Sequence, residues 1–182
     1  MTIEDVTLRV IDALNAAQTP HMLAGSFSSN LYGIPRSTKD ADFVLQLVGN
    51  LIEPFFQSLG TDFEVDPQLS FETNTGTYKQ EIRFRGTPFK VELFRLSNDL
   101  FDQERFRRRR AVQLFGHHTF VPTAEDVIVM KLRWCRRKDR DDVRNVMAVQ
   151  HGRLDWAYIE NWCRRHGTFD LMNQIRRAVP EI

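Results

Sequence analysis

Apolar positions recur along this chain with two different spacings, and the switches between them mark out its elements. From Ile3 to Ala17, the residues Val6, Val10, Ile11 and Leu14 fall on one side of a 3.6-residue turn, which predicts an amphipathic helix. His21-Met22-Leu23-Ala24 is a short apolar run closed by Gly25-Ser26, the pattern of a buried strand over 21–25 turning tightly into a helix over 26–33. Over 41–47 the period drops to two. Ala41, Phe43, Leu45 and Leu47 alternate with Asp40, Asp42, Val44 and Gln46, so a strand is predicted with both aspartates on one face. A helix near 50–58 follows, then a short strand at Phe63-Glu64-Val65. Residues 66–80, which carry Asn74-Thr75-Gly76-Thr77, read as a loop or hairpin tip. Alternation returns at 81–86 and 89–95, joined through Gly86-Thr87-Pro88 as a hairpin. A short helix over Asp99–Arg105, a second hairpin pairing 111–115 with 118–121, and helices near 123–134, 139–149, 155–166 and 169–178 complete the chain.

Strands and helices mix without strict alternation. The predicted class is α+β, a mixed sheet flanked by helices with a C-terminal helical subregion. We divide it into an α/β core over 1–122 and a helical part over 123–182 packed on that core. A length of 182 residues and a hydrophobic content of 42% are enough to bury a core without staples. No apolar run approaches the roughly 20 residues of a membrane span. The first residues lack the basic and apolar regions of an export signal, and Cys135 and Cys163 form no metal-type pattern. A reducing cytoplasm is the expected compartment.

Charge is unevenly spread. Residues 1–72 hold ten acids and three bases, and residues 73–182 hold 14 acids and 22 bases. The basic half includes Arg105-Phe106-Arg107-Arg108-Arg109-Arg110 and Arg133-Trp134-Cys135-Arg136-Arg137-Lys138. Such runs suit a solvated, internally paired surface or a face for a triphosphate, a nucleic acid or an acidic protein.

Three carboxylates carry the candidate chemistry. Asp40 and Asp42 share a strand face, where two adjacent anions stay ionised most easily with a cation between them. Mg²⁺ suits such a pair, because it binds through one or two carboxylates plus substrate phosphates. Glu92 lies opposite the apolar face of Phe89, Val91 and Leu93, on a strand able to neighbour the aspartates. A carboxylate there can bind metal or accept a proton from an attacking hydroxyl. Gly25 lets backbone amides approach a ligand, and Ser26 can cap the following helix or donate to a phosphate. His117 and His118 are adjacent on a strand, hence on opposite faces, which argues against one shared metal ion.

The order Gly25-Ser26, Asp40-x-Asp42, Val91-Glu92-Leu93 resembles the DNA polymerase β-like nucleotidyltransferase superfamily. The frame Leu31-Tyr32-Gly33-Ile34-Pro35-Arg36-Ser37-Thr38-Lys39-Asp40-Ala41-Asp42 is similar to small bacterial nucleotidyltransferases related to AbiEii toxins. So are the helix over Thr123–Leu132 with Lys131 and the later Lys138-Asp139-x-x-Asp142. The third acid is Glu where Asp is commoner in that family. The resemblance implies transfer of a nucleoside monophosphate from an NTP to an acceptor hydroxyl, with pyrophosphate released. It implies Asp40, Asp42 and Glu92 as ligands of Mg²⁺ or Mn²⁺, and Gly25, Ser26, Arg36, Thr38 and Lys131 as nucleotide contacts. Lys131 would also neutralise charge during transfer, with Asp139 and Asp142 as weaker candidates that orient it. The expected acceptor is tRNA or a protein ahead of an antibiotic-type small molecule, and an antitoxin is an expected partner. A catalytically silent regulatory module on the same fold is the alternative.

Overall fold

A computed structural model describes residues 1–47 and 52–179. The start of the helix expected near 50 and the last three residues of the C-terminal part lie outside the described residues.

The chain opens with α1 (Ile3–Ala16), started by a capping box in which Thr2 and Asp5 satisfy each other's backbone amides. Then come β1 (His21–Leu23), α2 (Gly25–Tyr32), β2 (Asp40–Leu45) and α3 (Ile52–Leu59). A long hairpin of β3 (Phe63–Glu72) and β4 (Thr77–Phe84) leads into β5 (Lys90–Arg95) and α4 (Leu100–Arg107). The hairpin β6 (Arg110–Leu114) and β7 (His117–Val121) precedes four helices, α5 (Ala124–Trp134), α6 (Arg137–Val149), α7 (Trp156–His166) and α8 (Phe169–Arg177).

Five strands form a mixed sheet in the order β1-β2-β5-β4-β3, and β6-β7 form a separate pair. β2 and β5 run parallel at its centre, with Asp42 opposite Glu92, and the other pairings are antiparallel. Alternation sorts each strand's side chains. Ala41, Phe43, Leu45, Val91, Leu93 and Ile82 turn to one face and join Val10, Ile11 and Leu14 of α1 and Phe55 and Leu59 of α3 in a hydrophobic core. The opposite face of the same strands carries Asp40, Asp42, Lys90, Glu92 and Lys79. A second core, built from α5 to α8 with Phe101, holds the helical part together. Between the polar sheet face and α5 lies a cleft of about 290 Å³.

One sequence expectation fails here. Residues 66–80 are mostly strand, since β3 runs to Glu72 and β4 starts at Thr77. The hairpin bears exposed residues through 66–71, including Leu69 and Phe71. With little burial on either face there, period-two hydrophobicity vanishes although the ladder persists. Phe71 and Tyr78 pack edge to face across it, ring centroids 5.3 Å apart.

Candidate active site

The cleft is built from the turn at Gly25. The amide of Ala24 donates to the carbonyl of Asp42 at 2.7 Å, which ties the end of β1 to β2. The chain then turns through Gly25 at φ +60° into α2. A β-carbon on Gly25 would stand 1.8 Å from Asp42 Oδ2, so the carboxylate occupies the space a side chain would need. The first amides of α2 have no intrahelical acceptor and carry the positive end of the helix dipole, directly beside that carboxylate.

Asp42 and Glu92 stand side by side on the parallel strands, as partners in the register between β2 and β5. Burial first, then repulsion from Glu92, pushes the Asp42 carboxyl up to about 6. Burial also acts to raise Glu92, but Lys79 and Lys90 outweigh it and hold Glu92 below its ordinary range. Asp40 lies two residues before Asp42 on the same face and lines the same cleft. Thus the structure brings the three predicted carboxylates to one cleft, with Asp42 and Glu92 paired in register. Among the described residues, no three acid, histidine or cysteine side chains are gathered closely enough to enclose an ion by themselves.

Lys131 projects from α5 across the cleft. Its side chain is 8% exposed, and Nζ donates to Asp142 Oδ2 at 2.8 Å and to Asp139 Oδ1 at 3.2 Å. The spacing of three along α6 places both aspartates on one side to receive it. Asp139 also takes two bonds from the Arg136 guanidinium. Asp142 receives Arg36 bidentately, at 2.7 and 3.0 Å. Both aspartates are held below the ordinary carboxylate range: burial opposes this, and arginine and Lys131 overcome it. The outcome is a chain of alternating charges, Arg136–Asp139–Lys131–Asp142–Arg36, ending where Arg36 donates to Ser26 Oγ at 3.0 Å.

Two expected nucleotide contacts are otherwise engaged. Arg36 bridges Ser26 and Asp142 and does not line the cleft. Thr38 closes a local turn, its hydroxyl donating to the Asp40 carbonyl and accepting from the Asp40 amide. Gly25, Ser26 and Lys131 do line the cleft. Sequence reading missed Lys79 and Lys90, which donate to Glu92 Oε1 at 2.6 and 3.4 Å. Extending the alternation of β4 two residues toward its start would have put Lys79 on the carboxylate face.

The basic runs do not form one open face beside the carboxylates. Arg105 is buried against Asp102, Arg107 pairs with Glu104, and Arg133 is bound to Asp99. Arg108 reaches the buried Asp126 and lies 3.9 Å from the Tyr158 ring centre. Arg105, Arg136 and Lys138 line the cleft. His117 pairs with Asp12 at 2.7 Å, while His118 packs on Phe120, so the two share no ligand.

No protein-family model matches the chain, and no curated protein matches it in sequence. Solved structures do match it. ANT(2'')-Ia, in complex with adenylyl-2''-tobramycin, aligns over 91% of this chain and 97% of its own at a TM-score of 0.62 and 8% identity. An antigenic nucleotidyltransferase-like protein from Paracoccidioides brasiliensis aligns over 98% and 96%, with TM-score 0.57 and 15% identity. JHP933 from Helicobacter pylori aligns over 96% of this chain and 77% of its own, with TM-score 0.54 and 16% identity. At such identities the likeness defines the fold: this chain has the mixed α+β fold of nucleotidyltransferases.

Proposed function

We propose that the protein transfers a nucleoside monophosphate from an NTP to an acceptor hydroxyl, releasing pyrophosphate. The observation that carries this reading is the pairing of Asp42 with Glu92 on neighbouring strands beside the Gly25 turn, with Lys131 lining the same cleft. Asp40, Asp42 and the free oxygen of Glu92 are the residues that would hold Mg²⁺ or Mn²⁺. Asp40 and Asp42 line the cleft from one strand face and Glu92 stands opposite Asp42, a donor set suited to a cation that keeps open positions for water and phosphate. Asp42 is raised by burial first and by Glu92 second, and a bound cation would offset the repulsion between the two. When bound, the ion would neutralise phosphate charge and polarise the group being transferred.

The chain's own residues supply position and field. The amides around Gly25 and Ser26 would cradle phosphate oxygens, with Ser26 held in place by Arg36. Lys131, steadied from behind by two aspartates, would present a point charge to the triphosphate. Glu92 is anionic and a weak base, so its main contribution would be to orient the acceptor hydroxyl. Such catalysis is largely positioning and electrostatics.

The internal pairing of Arg108 and Arg133 weakens the case for tRNA, while Arg105, Arg136 and Lys138 still line the cleft. We favour a small alcohol as the acceptor. The presence of a small adenylylated product in the ANT(2'')-Ia complex supports it. A toxin role with an antitoxin partner rests on the sequence resemblance alone.

The test is thermal shift with each of the four NTPs, with and without Mg²⁺, followed by incubation of labelled NTP with small-molecule and RNA fractions of a lysate. A metal-dependent shift and transfer of label, both lost in Asp42→Ala, are expected. An NTP shift without metal dependence and without transfer would leave only a binding module.

A further inference from the structure

Glu92 is not a fully open ligand. Its Oε1 accepts from Lys79 Nζ at 2.6 Å and from Lys90 Nζ at 3.4 Å. Lys90 divides its charge, for it also lies 3.6 Å from Glu81. Lys79 does not. It stands on β4 opposite Phe94, two residues from the rung that pairs Glu81 with Glu92. Its ammonium lies 5.6 Å from the Phe94 ring centre, within cation–π range. A carboxylate on one side and an aromatic face on the other therefore fix one full positive charge at the floor of the cleft.

Two-ion phosphoryl-transfer sites place their cations about 3.5–4 Å apart, so that attacking and leaving oxygens are both stabilised. A carboxylate that ligates a second ion must offer it an oxygen not already held by another cation. Here one oxygen is already taken by ammonium groups, and the positive charge such a second ion would bring is already present. We propose that Lys79 is a built-in substitute for a second cation, so that the site takes a single divalent ion on the Asp42 side. The inference rests on the nucleotidyl-transfer reading. Lys79 acts through Glu92, as a positioning residue, and its charge needs no loading from solution.

The experiment counts ions rather than turnover. Mn²⁺ binding is followed by electron paramagnetic resonance with saturating α,β-methylene analogues of the four nucleoside triphosphates. Wild type is expected to bind one Mn²⁺ per chain, Lys79→Met two, and Lys79→Arg one again. Should Lys79→Met fail to fold, Lys79→Gln, which keeps a donor to Glu92 without the charge, makes the same comparison. Two ions in wild type, seen as a spin-coupled pair, overturn the inference and leave nucleotidyl transfer standing. A single ion in folded Lys79→Met also overturns it, because the lysine would then only neutralise Glu92. No binding of Mn²⁺ or nucleotide by wild type overturns both readings.

Discussion

Gly25 and Asp42 compete for one volume: the carboxylate sits where a β-carbon on residue 25 would be, at 1.8 Å from Oδ2. The glycine also adopts φ +60°, a conformation that costs an L-residue about 1–2 kcal/mol. Gly25→Ala should therefore destabilise the fold by at least that amount and displace Asp42. Denaturant unfolding together with NTP thermal shift measures both. Full NTP binding in a stable Gly25→Ala protein would mean that the close approach does not matter to the site.

Asp42 itself predicts a pH effect. Its carboxyl is raised from 3.8 to about 6 by burial and by Glu92. A group raised on folding contributes stability below its unfolded value, and that contribution is lost as pH climbs through the folded one. Asp42→Asn keeps the size of the side chain and removes the titration. Its melting temperature should exceed that of wild type near pH 7.5 and match it near pH 4, each kcal/mol appearing as about 2–4 °C. Equal melting temperatures at both pH values would contradict the strained pair.

Arg36→Lys should weaken NTP binding although Arg36 does not line the cleft. A lysine cannot reproduce the bidentate grip on Asp142 and the bond to Ser26 Oγ. The loss of charged hydrogen bonds is worth roughly 1.5–3 kcal/mol. Calorimetric titration with NTP, beside unfolding curves, separates lost positioning from lost stability. Unchanged affinity would reduce Arg36 to a stabilising pair.

Lys131 and Asp142 should be coupled. Lys131→Met is expected to slow transfer or weaken NTP binding by tens-fold, and Asp142→Asn by less. Their effects should combine non-additively, since one holds the other at 2.8 Å. A double-mutant cycle of NTP affinity shows this, and strict additivity would assign the two residues to separate tasks.

RNA should bind weakly, even at about 50 mM salt, and without the steep salt dependence of a multi-phosphate contact. Arg107→Ala should change nothing, because that arginine forms an exposed pair with Glu104. Arg108→Ala should lower stability, because it leaves the buried Asp126 with one fewer donor. Filter binding at about 50 and 200 mM salt decides. Tight, salt-sensitive binding would restore an RNA acceptor.

Much of the sheet was readable because the first halves of its central strands alternate buried apolar with half-buried polar side chains. At 40–45 and 90–95 alternation told which residues point together, and the parallel pairing then set Asp42 against Glu92. The hairpin around 66–80 was unreadable for the opposite reason. Water reaches both faces through 66–71, so that strand carries no periodic signal, and the partly buried start of β4 with Lys79 was lost with it. The Arg36–Asp142 pair spans 106 residues and leaves no local trace. Arginine runs count charges but do not name partners, and here most of the partners are internal.

The six-rung register between β2 and β5 limits how this chain can change length. Slipping one strand by a single residue would turn Phe43 or Leu93 toward the cleft and a carboxylate into the core. Single-residue insertions or deletions inside either strand are therefore closed to the lineage. The Gly86 turn has open space around it and is free to vary, so changes of length are expected to arise in loops outside an unalterable pair of acids.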